Sequence, residues 1–460
     1  MTMISARGSA RAARTLAAAI LTLAPAFAVA QSTTASTTAP AESSGPLQSL
    51  SAARQQLKNA GVDMFAYYQG VFYANVSGGE KRADIYSSDV GFGGSLDLDK
   101  LVGIPGGSLD VQFDSRFGGM PQGVNDLTGS GVGFLGGIGP DNHTRLTTLT
   151  FGQSFANGAL SYVVGRTTLA NYFGTSSLYC QFETSLCSNL VPFNWSLNSN
   201  EPFYPISVWA GELEVTPSKL TYIKFGASES NPEQYSGGGF PWNGGWSVST
   251  ATGVFIPVEF GYSNEDTAAL YPGRYDVGYY YDSSQFTDPR YNTEGGKLAL
   301  VGGAPKIDGP QSTIYLQAQK VLWRSGNEKD ARKLWGFAAA QFGLSGHEPV
   351  KTYFQLGAVM QGTFPGRPND TAGVLATYYV FNPRVTGSVD DEIVADGKAG
   401  HVSNTEEIFE VNYGIDLGHG INIKPYIDLT VNPDQFLFDV TPNPKNRYAV
   451  AVGSQLNIQL

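Results

Sequence analysis

Charged side chains recur two residues apart in this sequence, a spacing that puts them on one face of an extended strand. Asp114 and Arg116 share the polar face of LDVQFDSRFGG, and Glu212 and Glu214 do so in AGELEV. Glu259 takes the polar side of IPVEFGY. These groups could bind a polar ligand through charge and hydrogen bonds. An ion pair within the protein is the simpler interpretation of each Asp beside an Arg.

Residues for catalysis or metal binding follow no recognisable pattern. The sequence has no Gly-x-Ser-x-Gly nucleophile motif, and a glycosidase would need two carboxylates at a defined separation. A water-facing strand surface explains the many acids more simply. The histidines show no ligand spacing and are scattered at His143, His347, His401 and His419. We therefore predict no enzyme, no cofactor and no metal site.

The first thirty residues are typical of a signal peptide. Arg7, Arg11 and Arg14 precede an apolar run that ends in the small residues Ala28 and Ala30, the pattern that signal peptidase cleaves. A membrane-spanning helix is less favoured because it needs about 20 apolar residues. The chain is thus expected to be exported, with cleavage near Ala30.

The two cysteines, Cys180 and Cys187, are close in the sequence. In an exported protein such a pair is expected to form a disulfide, here closing a small loop. A pair of metal ligands is less favoured because no histidine is nearby.

Composition limits the class of protein further. Residues 31–46 are rich in Ser, Thr, Ala and Pro and are predicted to be a disordered leader, and residues 47–61 have a helical pattern that stops at Gly61. Acids exceed bases, giving a net charge of −11, so nucleic acid is not an expected partner. Aromatic residues reach 12% whereas charged residues are only 15%, which is unlike a soluble helical protein.

From residue 62 onward, apolar and polar residues alternate. In EEIFEVNYGIDL, Phe409 and Val411 oppose Glu410 and Asn412. The closing RYAVAVGSQLNIQL keeps the same period to its end. We count roughly seventeen such strands, about 8 to 13 residues long, which suits tilted strands that cross a membrane.

Short turns alternate with long polar loops, as in outer-membrane barrels. A soluble β-sandwich also alternates, but no candidate strand is apolar on both faces and no second domain boundary appears in residues 62–460. Aromatic residues also cluster at strand ends, where the two membrane interfaces would lie. The pattern favours an all-β transmembrane antiparallel barrel, whose last strand pairs with the first so that no edge stays open.

Several segments resemble the carbohydrate-selective porin (OprB) family. They include LGAVMQGTFPGRPNDTAGVLATYYVFNP, EEIFEVNYGIDLGHGINIKPYIDLTVNP, LTFGQSFANGALSYVVGRTTLANYFGTSS and NEPFYPISVWAGELEVTP, in the family's order. The resemblance covers residues 47–460. It implies a barrel of sixteen strands in the outer membrane of a Gram-negative bacterium, with a lumen that narrows to an eyelet passing sugars.

The resemblance also suggests which residues form the eyelet. Arg166 belongs to the Gly-Arg motif that precedes a long segment, which we interpret as a constriction loop folded into the barrel and braced by the Cys180–Cys187 disulfide. Within it, Asn171, Tyr172 and Phe173 would supply an amide and stacking faces. Candidate eyelet residues on the wall are Asp114, Arg116, Glu212, Glu214 and Glu259.

Three functions follow in order of preference. The first is passive, sugar-selective diffusion through an outer-membrane pore. The second is a general or cation-preferring porin, because an acidic lumen concentrates cations. The third is a β-rich secreted hydrolase. Expected partners are a mono- or oligosaccharide, outer-membrane lipids and the barrel assembly machinery. Association into a homotrimer is one option.

Overall fold

The alternating segments close into a barrel in the structure, which is a computed structural model. It describes residues 54–118, 123–132, 143–184, 190–235, 246–265, 269–326, 332–437 and 442–459. The predicted signal peptide (1–30) and leader (31–46) lie outside these residues. Of the predicted helix, residues 54–59 are helical, and Gly61 ends it with a left-handed φ of +95°.

Eighteen strands are present in the described part of the chain. They are β1 Val62–Gly78, β2 Asp84–Asp97, β3 Gly107–Gly118, β4 Thr144–Phe155, β5 Leu160–Thr167, β6 Val208–Ser218, β7 Thr221–Ser230, β8 Gly253–Ser263, β9 Gly273–Asp282, β10 Phe286–Asn292, β11 Pro305–Asp308, β12 Gln311–Arg324, β13 Lys333–Gly343, β14 Val350–Gln361, β15 Thr371–Phe381, β16 Thr405–Gly418, β17 Ile421–Val431 and β18 Tyr448–Gln459. Sixteen of them form one closed antiparallel barrel, and β10 and β11 form a separate hairpin. The sixteen-stranded barrel confirms the predicted fold class.

The last strand closes the barrel, as the sequence predicts. β18 pairs with β1 in a register that sets Gln459 opposite Tyr67 and Gly453 opposite Tyr73. Ala449 and Ala451 are 1% exposed on the lumen side, whereas Tyr448 is exposed on the outside. The regular alternation at the end of the chain therefore serves closure, which leaves no strand edge with unpaired backbone groups.

The period of two separates an apolar outer face from a polar inner face. On β16, Phe409 and Val411 are 44% and 57% exposed on the outside. Glu410 and Asn412, between and after them, are buried toward the lumen. This arrangement suits a barrel whose outer face meets hydrocarbon and whose inner face meets water.

The two rims of the barrel differ. Residues 219–220 and 419–420 make tight turns on the rim where β1 begins and β18 ends, and residues 283–310 and 382–404 make long connections on the opposite rim. In outer-membrane barrels the short turns face the periplasm. We therefore call the rim with the short turns the inner rim and the opposite rim the outer rim.

Helices are few and short. In the described residues they are the turn of helix at 54–59, Leu98–Val102, Val124–Thr128, Leu190–Leu197, Leu298–Val301 and Pro383–Ala395, with 3-10 turns at Ala156–Gly158, Leu169–Asn171, Tyr179–Gln181 and Pro232–Tyr235. None of the helices in the described residues is long and apolar enough to span a membrane. On the outer rim, Asp391 of the longest helix accepts hydrogen bonds from Arg290 and Lys297, each at 2.7 Å. These ion pairs join that helix to the β10–β11 hairpin.

Candidate functional site

The described residues of the connection between β5 and β6, 168–184 and 190–207, lie inside the barrel and are called the inserted segment here. It begins with the 3-10 turn Leu169–Asn171, and Leu169, Phe173 and Tyr179 are at most 1% exposed. These side chains belong to clusters that contain inward residues of the wall, among them Tyr315 and Phe337. The predicted position of this segment in the lumen therefore agrees with the structure.

Glu259 of β8 fixes the first part of the inserted segment. Its carboxylate accepts the backbone N–H of Gly174 at 2.7 Å and the hydroxyls of Tyr222 and Tyr315 at 3.0 and 2.7 Å. An Arg274 guanidinium nitrogen lies 3.8 Å from it. These groups compensate the burial of the charge, since Glu259 itself is fully buried. Glu259 thus holds the segment and is not available to a solute.

The middle of the segment crosses the wall formed by β12 and β13. The side-chain amide of Gln317 donates to the Thr175 carbonyl at 3.1 Å, and the Tyr179 hydroxyl donates to Gln317 at 3.2 Å. The rings of Tyr179 and Phe182 pack on Phe337 with centroids 5.5 and 5.6 Å away. The side chain of Gln317 therefore replaces the sheet hydrogen bonds that the segment lacks.

The far end of this crossing is held by Glu410 of β16. Its carboxylate accepts the backbone N–H groups of Glu183 and Thr184 at 3.0 and 2.9 Å, and the Thr184 hydroxyl at 2.8 Å. Lys424 of β17 donates to the Cys180 carbonyl at 3.0 Å. Burial raises the pKa of Glu183 to about 7, with Lys424 opposing the rise and Glu410 adding to it.

The helix Leu190–Leu197 anchors the segment on the outer-rim side. Trp195 is 1% exposed, and its ring centroid lies 5.3 Å from that of Phe255, 5.5 Å from Tyr280 and 5.8 Å from Tyr315. Asn198 follows the helix and exchanges hydrogen bonds with the backbone of Val350 at 2.8 and 2.9 Å. From β8 to β17, the inserted segment is therefore fixed along the inner wall.

A second cluster lies across the lumen, on β1 to β4. Asp114 is 1% exposed and accepts hydrogen bonds from the hydroxyls of Tyr67 and Thr147, the latter at 2.7 Å. The Arg116 side chain is 13% exposed, lies 3.4 Å from Asp89, and has its guanidinium 5.6 Å from the ring centroid of Tyr204, on the returning part of the inserted segment. Arg116 therefore keeps a face toward the lumen, whereas Asp114 supports the wall.

A third cluster surrounds Lys224 of β7. Its ammonium group donates to the Tyr172 carbonyl at 2.8 Å and lies 3.6 Å from Glu214. The side chains of Lys224 and Glu214 are 14% and 33% exposed, and Glu212 is 7% exposed on the same inner face. Asn171, close to this cluster in sequence, is exposed and donates to Thr167 at 3.3 Å. The structure thus brings predicted residues of the loop and of the wall together here.

Besides Asp114, two further predicted eyelet residues are placed differently from the expectation. Phe173 is fully buried against Trp195, with ring centroids 6.3 Å apart, so it has no free face for stacking. Glu259 is likewise closed off by its partners. Both residue types would suit contact with a polyhydroxyl solute, but both side chains are buried and hold the inserted segment.

Arg166 does not face the lumen, which corrects its predicted role. It shares its face of β5 with Val164, which is 47% exposed on the outside, and it is directly opposite Trp209 of β6. Its guanidinium donates to the Ser207 carbonyl, lies 3.8 Å from Glu229, and is covered by two tryptophan rings. Arg166 therefore braces the outer rim from outside.

Sequence reasoning missed several residues that organise the lumen. Glu410 and Lys424 occupy polar positions of segments that we recognised as strands, and Tyr204 lies in the segment NEPFYPISVWAGELEVTP. For Glu410 and Lys424 the side of the strand was predictable, but the partners were not.

Cys180 lies in the turn Tyr179–Gln181, whereas Cys187 lies outside the described residues, so the disulfide stays a prediction. Within the part of the chain that is described, no group of His, Cys, Asp and Glu could hold a metal ion.

Comparisons with known proteins agree with this architecture. The family model for the carbohydrate-selective porin, OprB family, matches residues 81–460. Porin B of Pseudomonas aeruginosa is 27% identical over 396 residues, which cover 83% of this chain and 85% of Porin B. The putative porin QuiX of Acinetobacter baylyi is 22% identical over 405 residues, covering 83% and 86%. The high-pH structure of Pseudomonas putida OprB has the same fold, with a TM-score of 0.78 at 23% identity and coverage of 89% of this chain and 97% of that chain.

Replacing Glu410 by Ala should release the far end of the inserted segment. The variant loses four hydrogen bonds to a buried carboxylate, three from the segment and one from Asn412, each worth about 1.5–3 kcal/mol. We expect single channels in planar bilayers to show a higher and more variable conductance. Glu410→Gln, which removes the charge but keeps an acceptor, should change conductance less.

The matched control is Glu407→Ala, because Glu407 lies three residues away on the opposite face of β16. It should conduct like the unmodified protein. If Glu410→Ala also does so, the carboxylate does not hold the segment.

Proposed function

Because this chain belongs to the carbohydrate-selective porin family, OprB, we propose that it forms an outer-membrane channel for passive diffusion of small neutral sugars into the periplasm. The observation that carries the proposal is the inserted segment. It is fixed along the inner wall from β8 to β17, and it leaves polar side chains of limited exposure facing the remaining lumen. No step of such transport needs a nucleophile or a cofactor.

The side chains that keep exposed faces suit a sugar. A hexose presents hydroxyl groups on its rim and weakly apolar faces, so it is recognised by donors, acceptors and aromatic rings together. The Arg116 guanidinium beside the Tyr204 ring offers donors and an aromatic group at one place. Near Tyr172, at the start of the inserted segment, Glu214 offers an acceptor and Lys224 a donor. These are the residues that we assign to sugar contact, with Asn171 as a further donor.

Paired charges argue against a simple ion filter. Arg116 lies 3.4 Å from Asp89, Lys224 3.6 Å from Glu214, and Arg274 2.8 Å from Asp276. A ring of one sign would select ions, but here each of these cations has an acid beside it. The alternative, a general or cation-preferring porin, is favoured by the excess of acids in the whole chain. A hydrolase has no support, since the family and its structural neighbours are channels.

The finer expectations of location and assembly belong to the same proposal. The chain would be cleaved near Ala30, inserted by the barrel assembly machinery, and surrounded by outer-membrane lipids. The homotrimer stays a prediction. The intact mass of the protein purified from membranes, under native and denaturing conditions, checks both the cleavage site and the number of copies.

We further propose that Cys180 and Cys187 form a disulfide that braces the end of the inserted segment. Lys424 already holds the Cys180 carbonyl at 3.0 Å, so a covalent bond would fix the residues that follow it. Denatured without reductant, the purified protein should take up no thiol-alkylating reagent, and with reductant it should take up two adducts by mass. Two adducts without reductant would show that the cysteines are unpaired.

Sugar block of the ion current tests the proposed function. Glucose added to wild-type channels should lower their conductance. In Arg116→Ala, the half-blocking glucose concentration should rise roughly tenfold to a hundredfold, as expected for the loss of one charged hydrogen bond worth about 1.5–3 kcal/mol. The matched control is Arg447→Ala, which removes an exposed arginine on the outer rim just before β18 and should leave the block unchanged.

Both variants are first checked for a folded barrel by their heat-dependent migration in gels. A wild-type current that is indifferent to sugars, with a reversal potential that favours cations, would replace the sugar channel by the alternative. A block weakened by Arg447→Ala and not by Arg116→Ala would overturn the assignment of residues.

A further inference from the structure

A groove of about 850 Å³ crosses the outer face of the barrel from β8 to β16. Its floor is formed by Ala318 on β12 and by Ala338 and Ala340 on β13. Ala318 and Ala338 are paired across the two strands, and Ala338 and Ala340 are successive outward residues of β13. Large side chains border it on both sides, among them Phe260 on β8 and Leu356 on β14, which are 49% and 66% exposed. The groove is therefore a depression with raised apolar sides, wide enough to receive a flexible chain.

The end of the groove nearest the inner rim is polar. Tyr275 lies beside Ala318 in the strand register and opposite Tyr262, and their rings are 6.3 Å apart. Lys320 is the next outward residue of β12 after Ala318, and it lies directly across from Gly336 and Gly273. Tyrosines at this level are typical of the interface between hydrocarbon and head groups.

Lys320 is the feature that indicates a ligand. It is exposed, and it makes no hydrogen bond or ion pair with any residue in the described ranges. A lysine beside hydrocarbon normally extends its ammonium group to the polar interface. Here it stands at the mouth of an apolar groove, near the inner rim, where an anionic head group of that leaflet would lie.

We infer that this groove binds one anionic glycerophospholipid of the periplasmic leaflet. An acyl chain lies over Ala318, Ala338 and Ala340, and the phosphate group is bound by Lys320 with the hydroxyls of Tyr262 and Tyr275 nearby. A basic residue at the head-group level next to a groove for the chain is how membrane proteins retain particular lipids.

A second copy of the barrel fits this surface less well. Two barrel walls are both convex, so a second wall would rest on the raised side chains of Phe260 and Leu356 and leave the alanine floor uncovered. It would also bury the ammonium group of Lys320, which has no acid paired with it among the described residues, and such burial is costly. A lipid fills the groove and supplies the negative charge.

Native mass spectrometry tests the inference on the full-length folded protein in detergent. Phosphatidylglycerol and phosphatidylcholine with identical acyl chains are added in turn. We expect wild type to retain one phosphatidylglycerol in preference, and Lys320→Gln to retain it roughly fivefold less, the effect of one lysine on an anionic head group. The matched control is Lys351→Gln, an exposed lysine near the outer-rim end of β14, which should behave like wild type.

Ala338→Phe fills the groove floor without changing charge and should also reduce retention, of both lipids. Equal retention of phosphatidylglycerol by wild type and Lys320→Gln would overturn the inference. So would a change in the number of protein copies caused by Ala338→Phe with lipid retention unaltered, since that would assign the groove to a second barrel.

Discussion

Hydrogen bonds from a loop backbone to buried carboxylates hold the inserted segment against the inner wall of this lumen. Glu259 and Glu410 each accept two or more donors from the inserted segment or the surrounding wall. A buried carboxylate without such donors would cost several kcal/mol, and a buried backbone N–H without an acceptor would also destabilise the fold. Each group therefore removes the cost of the other, and the segment stays on the wall.

The closed barrel explains why side chains, and not strand backbone, hold the inserted segment. All sixteen strands use their backbone groups on their neighbours, so the wall offers no free edge to a segment that enters the lumen. Inward side chains must provide the partners, and Gln317, Asn412 and Lys424 each bond to a backbone carbonyl of the segment. The same inward faces line the passage. Support of the segment and recognition of a solute thus compete for one set of positions, and burial decides which residue does which.

The sequence predicts this fold well because the period of two has one physical cause throughout. Strands such as β16 and β18 have their faces where the alternation puts them, and the barrel closes between β18 and β1. The site is predicted less well. Glu410 and Thr184 are 226 residues apart, and nothing local indicates that they meet, because the meeting depends on how far the inserted segment reaches across the lumen.

Arg166 shows a second reason why the site is predicted less well than the fold. It was assigned from a family motif, although Val164 and Arg166 share one face of their strand and Val164 is apolar. Alternation alone places both outside, and the tryptophan rings that cover the guanidinium explain how an arginine is accommodated there. For Phe173 the alternation gives no such warning, because it lies in a loop. Its residue type suits a stacking platform, and only its packing against Trp195 in the structure reveals that it is buried.

The account depends most on the claim that the held segment leaves a passage of sugar size. Swelling of liposomes that contain the purified wild-type protein, measured with a mono-, a di- and a trisaccharide at equal osmolarity, tests this claim directly. The account predicts rapid swelling with the monosaccharide and a steep fall with each added unit. Equal rates for all three sugars would show an unobstructed barrel and contradict it.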